Sequence, residues 1–92
     1  MPAVPHLVEI FYSEHCLGCP EALQAVRRFA SGRLDVVVVE HDLQDEAALD
    51  LAKRHGVIAT PAVVIDGDVV TYGVPRSAVL AACVGAPRLM TP

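Results

Sequence analysis

The chain has 92 residues, a formal charge of −4 at neutral pH, and 53 % hydrophobic residues with no tryptophan. A chain of this length buries only somewhat over ~60 % of its unfolded surface, enough for one core and too little for two. No basic patch argues for nucleic acid, and no apolar run approaches the length needed to span a membrane.

Met1–Pro5, with two prolines, reads as an extended lead-in. It carries no cationic segment, and the apolar run after it is short and interrupted by Glu9, so nothing resembles a signal peptide. A cytoplasmic location is therefore expected. In a reducing compartment three cysteines do not form a disulfide framework, and a CxxC beside a βαβ pattern reads as a redox or metal site.

Leu7–Tyr12 predicts an inner strand, apolar on both faces except at Glu9. Ser13–Gly18 is the loop that follows it and leads into His15-Cys16-Leu17-Gly18-Cys19-Pro20. Two thiols three positions apart lie on one face of a helical turn, close enough for their sulfurs to bond. A helix start also turns unpaired N–H groups toward that position, and their partial positive charge favours a thiolate. From Pro20, Ala22, Leu23, Val26, Phe29 and Ala30 fall at helical spacing, with Gly32 as the stop. Pro20 lacks an N–H, so it fits best at the first helical position.

The valine run within Leu34–Val39 predicts a second strand covered on both faces. His41–Gln44 reads as a connection, and Asp45 as the cap of a helix to His55 with Ala48, Leu51 and Ala52 inward. Ala62–Ile65 and Val69–Tyr72 predict a hairpin, its turn signalled by Asp66-Gly67. Pro75 fits the first turn of a last helix, with Val79, Leu80 and Cys83 inward and Gly85 at its end, and Ala86–Pro92 reads as a loose tail. The order is β-α-β-α-β-β-α. A right-handed crossover makes the first two strands parallel and the hairpin makes the last two antiparallel. The expected fold is α/β, with a four-stranded mixed sheet, helices on both faces, and a single domain over 1–92 whose core spans about residues 6–85.

With these elements in place the sequence resembles the thioredoxin superfamily, and in size its small glutaredoxin-like members. Four features carry the resemblance: a CxxC between the first strand and first helix, Thr60-Pro61 before the third strand, the Ile65-Asp66-Gly67 hairpin, and Gly73 after the fourth strand. It implies a thioredoxin-like fold with a cis proline at Pro61 beside the thiols. It also implies thiol–disulfide oxidoreduction, with Cys16 as attacking thiolate and Cys19 as the resolving thiol. The sequence departs from thioredoxin proper in having His15 before the first cysteine, Leu17-Gly18 between the two, and Ile10 where the family has a buried aspartate. Gly73-Val74-Pro75 lacks the second glycine and the aspartate with which glutaredoxins grip glutathione.

The remaining residues carry alternatives. Thr60, held extended by Pro61, offers backbone groups to an extended substrate, with Leu17 and Val74 as apolar neighbours; otherwise Pro61 only opens a strand. His15 is either a cation that lowers the Cys16 pKa or a loop histidine facing solvent. His6, His41 and His55 read as surface residues. Glu9, one position from Ile10, points to the opposite face and is assigned a structural or edge role. Cys83 reads as a small buried hydrophobe. The expected protein is a monomer that reduces disulfide-containing proteins without a cofactor, taking electrons from a reductase or a small thiol. The competing expectation is a binding module that docks a partner or carries a soft metal such as copper(I) or zinc on its cysteines, although structural zinc wants four ligands and only His15 and Cys83 supplement the pair.

Overall fold

Seven elements run in the order β1 (His6–Tyr12), α1 (Cys19–Ala30), β2 (Val36–Asp42), α2 (Glu46–His55), β3 (Ala62–Ile65), β4 (Asp68–Tyr72) and α3 (Ser77–Val84). The computed structural model describes residues 4–85; the expected tail over 86–92 and the first three residues of the lead-in lie outside them. The four strands form one sheet in the order β2-β1-β3-β4. β1 is parallel to β2 and antiparallel to β3, and β3 is antiparallel to β4, which is the expected mixed sheet.

The two-residue strand period sorts the core onto two faces. Val8 and Ile10 of β1 and Val63 and Ile65 of β3 pack with Ala22 and Val26 of α1 and Leu80 and Val84 of α3. On the other face Phe11, Ala62 and Val64 pack with Ala52 of α2. Fully burying a side chain such as Phe11 contributes on the order of 2–3 kcal/mol. β1 and β3 are the inner strands, and that is why both read as nearly continuous apolar runs.

β2 corrects the sequence reading twice. It starts two residues later than expected and continues through His41 and Asp42, which the sequence assigned to a connection. It is also an edge strand, covered on one face only: Val37 and Val39 are 48 % and 37 % exposed. The reason is topological, because α2 lies over the β1 and β3 side chains and leaves the outer part of that face open. Four valines in a row cannot report which of their faces a helix will reach.

The helix ends follow local chemistry. Asp45 caps α2 by accepting a hydrogen bond from the Ala47 N–H, and Gly56 closes it in the left-handed region (φ 77°) that glycine adopts without steric cost. The Asp66-Gly67 turn has φ of 52° and 91°, the pair of positive angles that the two-residue hairpin requires. A bulge between Val63 and Val64 interrupts the β3–β4 ladder. Asp66 also ties the turn to β1: its carboxylate accepts from the Leu7 N–H at 2.9 Å and lies 2.5 Å from His6 Nδ1. His6 first, then that N–H, holds the Asp66 carboxyl below the usual carboxylate range.

α3 differs from expectation at both ends. Its first residue is Ser77, so buried Pro75 precedes the helix rather than opening it. Cys83 is exposed, and the inward residues are Leu80 and Val84 with Val79 partly covered. The segment SAVLAACV is apolar on every side, so its spacing does not select a buried stripe. Among the described residues no helix is long and apolar enough to cross a membrane.

Candidate functional site

α1 begins at Cys19, one residue before the expected start, with Gly18 as its N-cap and Pro20 in the first turn. Pro20 has no N–H to give, so the helix hydrogen bonds start later, with Ala22 N–H donating to the Gly18 carbonyl at 3.0 Å. Ahead of the helix the chain folds into a tight turn in which the Cys19 N–H donates to the Cys16 carbonyl at 3.3 Å. This turn brings the Cys16 and Cys19 Cα atoms to 5.4 Å, and the two residues form a disulfide. Such a separation lies in the ordinary range for a bridge.

The two cysteines are not equally covered. Cys19 is 2 % exposed on the first turn of the helix, whereas Cys16 is only partly covered, on the loop side. The positive end of the α1 dipole faces this turn. His15 adopts φ 63° and points into solvent, with Nε2 3.8 Å from Glu14 Oε1. Glu14 in turn accepts a hydrogen bond from the Gln44 side chain, which ties the thiol loop to the segment before α2.

Pro61 and Val74 flank the thiol turn. A Cβ placed on Gly18 would lie 3.8 Å from both Pro61 Cδ and Val74 Cγ2, so the chain positions expected to meet substrate do gather at the CxxC. The Thr60–Pro61 peptide bond is cis. Among the described residues no backbone hydrogen bond uses the Thr60 N–H or carbonyl, whereas the Pro61 carbonyl accepts from Gly73 N–H at 2.9 Å. Leu17, between the cysteines, is 99 % exposed. An exposed apolar tip and a half-exposed Val74 therefore lie at the thiol turn, with the open Thr60 backbone next to Pro61.

Next to Thr60 lies an apolar groove of ≈ 310 Å³ lined by Leu43, Leu49, Ala52, Val57 and Ile58. A larger and more open depression of ≈ 620 Å³ lies over the end of α1 and β2 and is walled by Arg27 and Glu40. These two form a bidentate ion pair at 2.6 Å, and the Arg27 hydrogen bond holds the Glu40 carboxyl below its usual range. That depression lies at the end of α1 away from the thiols, whereas Thr60 lines the smaller groove.

Sequence reasoning missed three sets of contacts. Ser13 Oγ lies 2.9 Å from Thr60 Oγ1, joining the thiol loop to the Thr60 loop. The Tyr72 hydroxyl accepts from Ile58 N–H at 3.3 Å and donates to the Gly56 carbonyl at 3.5 Å. His41 and His55, read as surface residues, are mostly buried around Glu9, with Nε2 atoms 2.8 and 3.7 Å from its carboxylate. Glu9 is 7 % exposed at its side chain and lies on an inner strand, so its role is structural and not that of an edge residue. It faces Phe11 and α2, on the side of the sheet away from Ile10, as its register position implied. The clue in the sequence was a lone carboxylate in an apolar strand; its partners came from elements whose register the sequence does not give. Among the described residues no group of three or more His, Cys, Asp or Glu side chains is arranged to hold a metal ion.

A thioredoxin domain model matches residues 6–85. The thioredoxin of Methanocaldococcus jannaschii is 36 % identical over 73 residues, which is 79 % of this chain and 85 % of that protein. Among solved structures, a mutant thioredoxin from Halobacterium salinarum superposes with a TM-score of 0.69 at 25 % identity, over 88 % of this chain and 73 % of that one. The oxidised mitochondrial thioredoxin 3 of Saccharomyces cerevisiae gives 0.69 at 25 % identity, over 88 % and 77 %. With its mixed four-stranded sheet and a Cys16–Cys19 pair suited to thiol–disulfide exchange, the chain belongs to the thioredoxin superfamily.

Proposed function

We propose that the protein is a thiol–disulfide oxidoreductase that reduces disulfides in polypeptides, with Cys16 as nucleophile and Cys19 as resolving thiol. The observation that carries this reading is the unequal cover of the two cysteines, Cys16 partly accessible and Cys19 buried, together with a Thr60 backbone with no hydrogen-bond partner among the described residues. In the reduced protein the Cys16 thiolate attacks one sulfur of the substrate disulfide, forming a mixed disulfide and releasing the other sulfur as a thiolate. Cys19, as thiolate, then attacks the Cys16 sulfur and releases the second substrate thiolate. Two electrons pass to the substrate and the Cys16–Cys19 disulfide remains. No cofactor takes part in these steps.

The bound segment lies extended along Thr60, pairing with its N–H and carbonyl, while Leu17 and Val74 contact its side chains. The electrons that reopen the protein disulfide come from a reductase or a low-molecular-weight thiol. Glutathione is the poorer donor, because Gly73-Val74-Pro75 offers no second glycine and no aspartate for its charged ends. Unpaired ionic groups on a ligand cost on the order of 1–3 kcal/mol each, about tenfold or more in affinity per contact. We place the protein as a monomer in a reducing, cytoplasmic setting, serving electron transfer to protein disulfides and cell redox homeostasis.

The test is reduction of insulin, and of a small aromatic disulfide, by wild type and Cys16→Ser. Wild type is expected to turn over and Cys16→Ser to be inactive; a variant as fast as wild type would overturn the assignment. Faster, saturable reduction of the oxidised protein by glutathione than by a thioredoxin-reductase system would overturn the donor preference.

A further inference from the structure

The thiol loop and the Thr60 loop meet through a side-chain hydrogen bond, Ser13 Oγ to Thr60 Oγ1 at 2.9 Å, partly shielded from solvent. Its placement follows from the sheet. β1 and β3 are antiparallel with Phe11 opposite Ala62, and Ser13 and Thr60 each lie two residues past that pair, in the direction of the thiols. Both residues lie just beyond the ends of β1 and β3, and there the two hydroxyls meet across the end of the ladder. The ladder stops there, and the backbone of Thr60 has no hydrogen-bond partner among the described residues.

A threonine hydroxyl with no other partner bonds readily to nearby backbone N–H or C=O groups, its own neighbours included. At Thr60 that alternative would occupy or obstruct the groups that an extended substrate pairs with. A hydroxyl already engaged by Ser13 is held in one rotamer and turned away from them. We infer that Ser13 is a positioning residue for polypeptide substrates, its hydroxyl holding that of Thr60 so that the Thr60 N–H and carbonyl stay open to an extended chain. The inference rests on the reading of the site as a reductase of polypeptide disulfides. It concerns binding of the polypeptide backbone and not the attack by Cys16, so it separates two kinds of substrate: a polypeptide disulfide uses the Thr60 backbone, and a small aromatic disulfide has no peptide groups to pair with it.

The experiment compares steady-state kinetics of wild type, Ser13→Ala and Ser13→Thr on insulin and on a small aromatic disulfide, with thermal unfolding of each protein alongside. Loss of one well-placed hydrogen bond corresponds to a change of about three- to tenfold. Ser13→Ala is expected to raise KM for insulin by about that factor with little change in kcat, and so to lower the ratio of insulin to small-disulfide kcat/KM. Ser13→Thr, which keeps a hydroxyl, is expected to restore the ratio. Thr60→Val removes the hydroxyl that would fold back, so in that background Ser13→Ala is expected to leave the ratio unchanged. A wild type inactive on both substrates overturns the functional reading and this role with it. An active wild type whose Ser13→Ala variant keeps the ratio, or loses both activities equally, overturns this role alone. Failure of Ser13→Thr to restore the ratio, or an undiminished effect of Ser13→Ala beside Thr60→Val, overturns it as well.

Discussion

Glu9 Oε2 and His41 Nε2 are 2.8 Å apart across the parallel β1–β2 pair, although the register sets Glu9 opposite Val39. The imidazole of His41 also stacks on Phe11, with ring centroids 4.6 Å apart, so it is held by a carboxylate at its tip and an aromatic face at its side. A carboxylate this deep needs such a partner, because an unpaired buried charge is costly. His41→Leu is expected to destabilise the fold by about 2–4 kcal/mol by leaving Glu9 short of a partner. Glu9→Gln, which keeps the shape and an acceptor, is expected to cost about 1 kcal/mol. Urea unfolding of both variants and of the double variant measures this, and the two effects are expected to be clearly non-additive.

Cys19→Ser removes the proposed resolving thiol while leaving the more accessible Cys16. This variant is expected to stop at the mixed disulfide and accumulate a covalent adduct with a disulfide-bearing peptide, seen as the peptide mass added to the intact protein and lost with dithiothreitol. Cys16→Ser is expected to form no such adduct at the CxxC, since Cys19 is nearly sealed from solvent.

Leu17 stands almost wholly in solvent, so Leu17→Ala is expected to shift stability by less than about 0.5 kcal/mol. An apolar side chain buried only in the complex contributes to binding alone. KM for a polypeptide disulfide is expected to rise several-fold while the thermal midpoint stays put. An unchanged KM would remove Leu17 from the proposed substrate surface.

The Asp66 carboxyl, held low by His6 and the Leu7 N–H, links stability to acid. A group with a depressed folded pKa stabilises above its unfolded value, about 3.9 for aspartate, and that contribution disappears as the pH falls through the folded value. Asp66 is about half exposed, so the contribution is on the order of 1 kcal/mol or less. Asn tolerates the positive φ at this position as Asp does. The stability gap between wild type and Asp66→Asn, followed by urea unfolding, is expected to be present above the unfolded value of about 3.9 and to close as the pH falls through the lowered folded value.

The elements whose signals are local were legible in the sequence. Asp45, Gly56 and the Asp66-Gly67 turn act through residues within a few positions, and each does what its type suggests. The thiol turn was legible for the same reason, apart from a helix start displaced by one residue. What the sequence left open depends on which strand lies beside which. The exposed valines of β2, the histidines around Glu9 and the Ser13–Thr60 bond all follow from strand order and register, which no single segment encodes. Cys83 was misplaced for a different reason: a helix apolar on all sides carries no phase.

Tyr72 joins two parts of the chain, the last strand and the segment that follows α2. Its hydroxyl sits between the Gly56 carbonyl and the Ile58 N–H, so the stretch from the end of α2 to Thr60 is fastened at its middle to the last strand. A stretch fastened at Ile58 and again at Pro61, by the Gly73 bond, has little freedom to reshape itself around an incoming chain. On the proposed reading such a surface would select partners by fit instead of folding over them, and association with a matching segment would be fast because no slow rearrangement precedes contact. Slow amide exchange at Ile58, lost when the phenol is removed in Tyr72→Phe, is the signature of that rigidity.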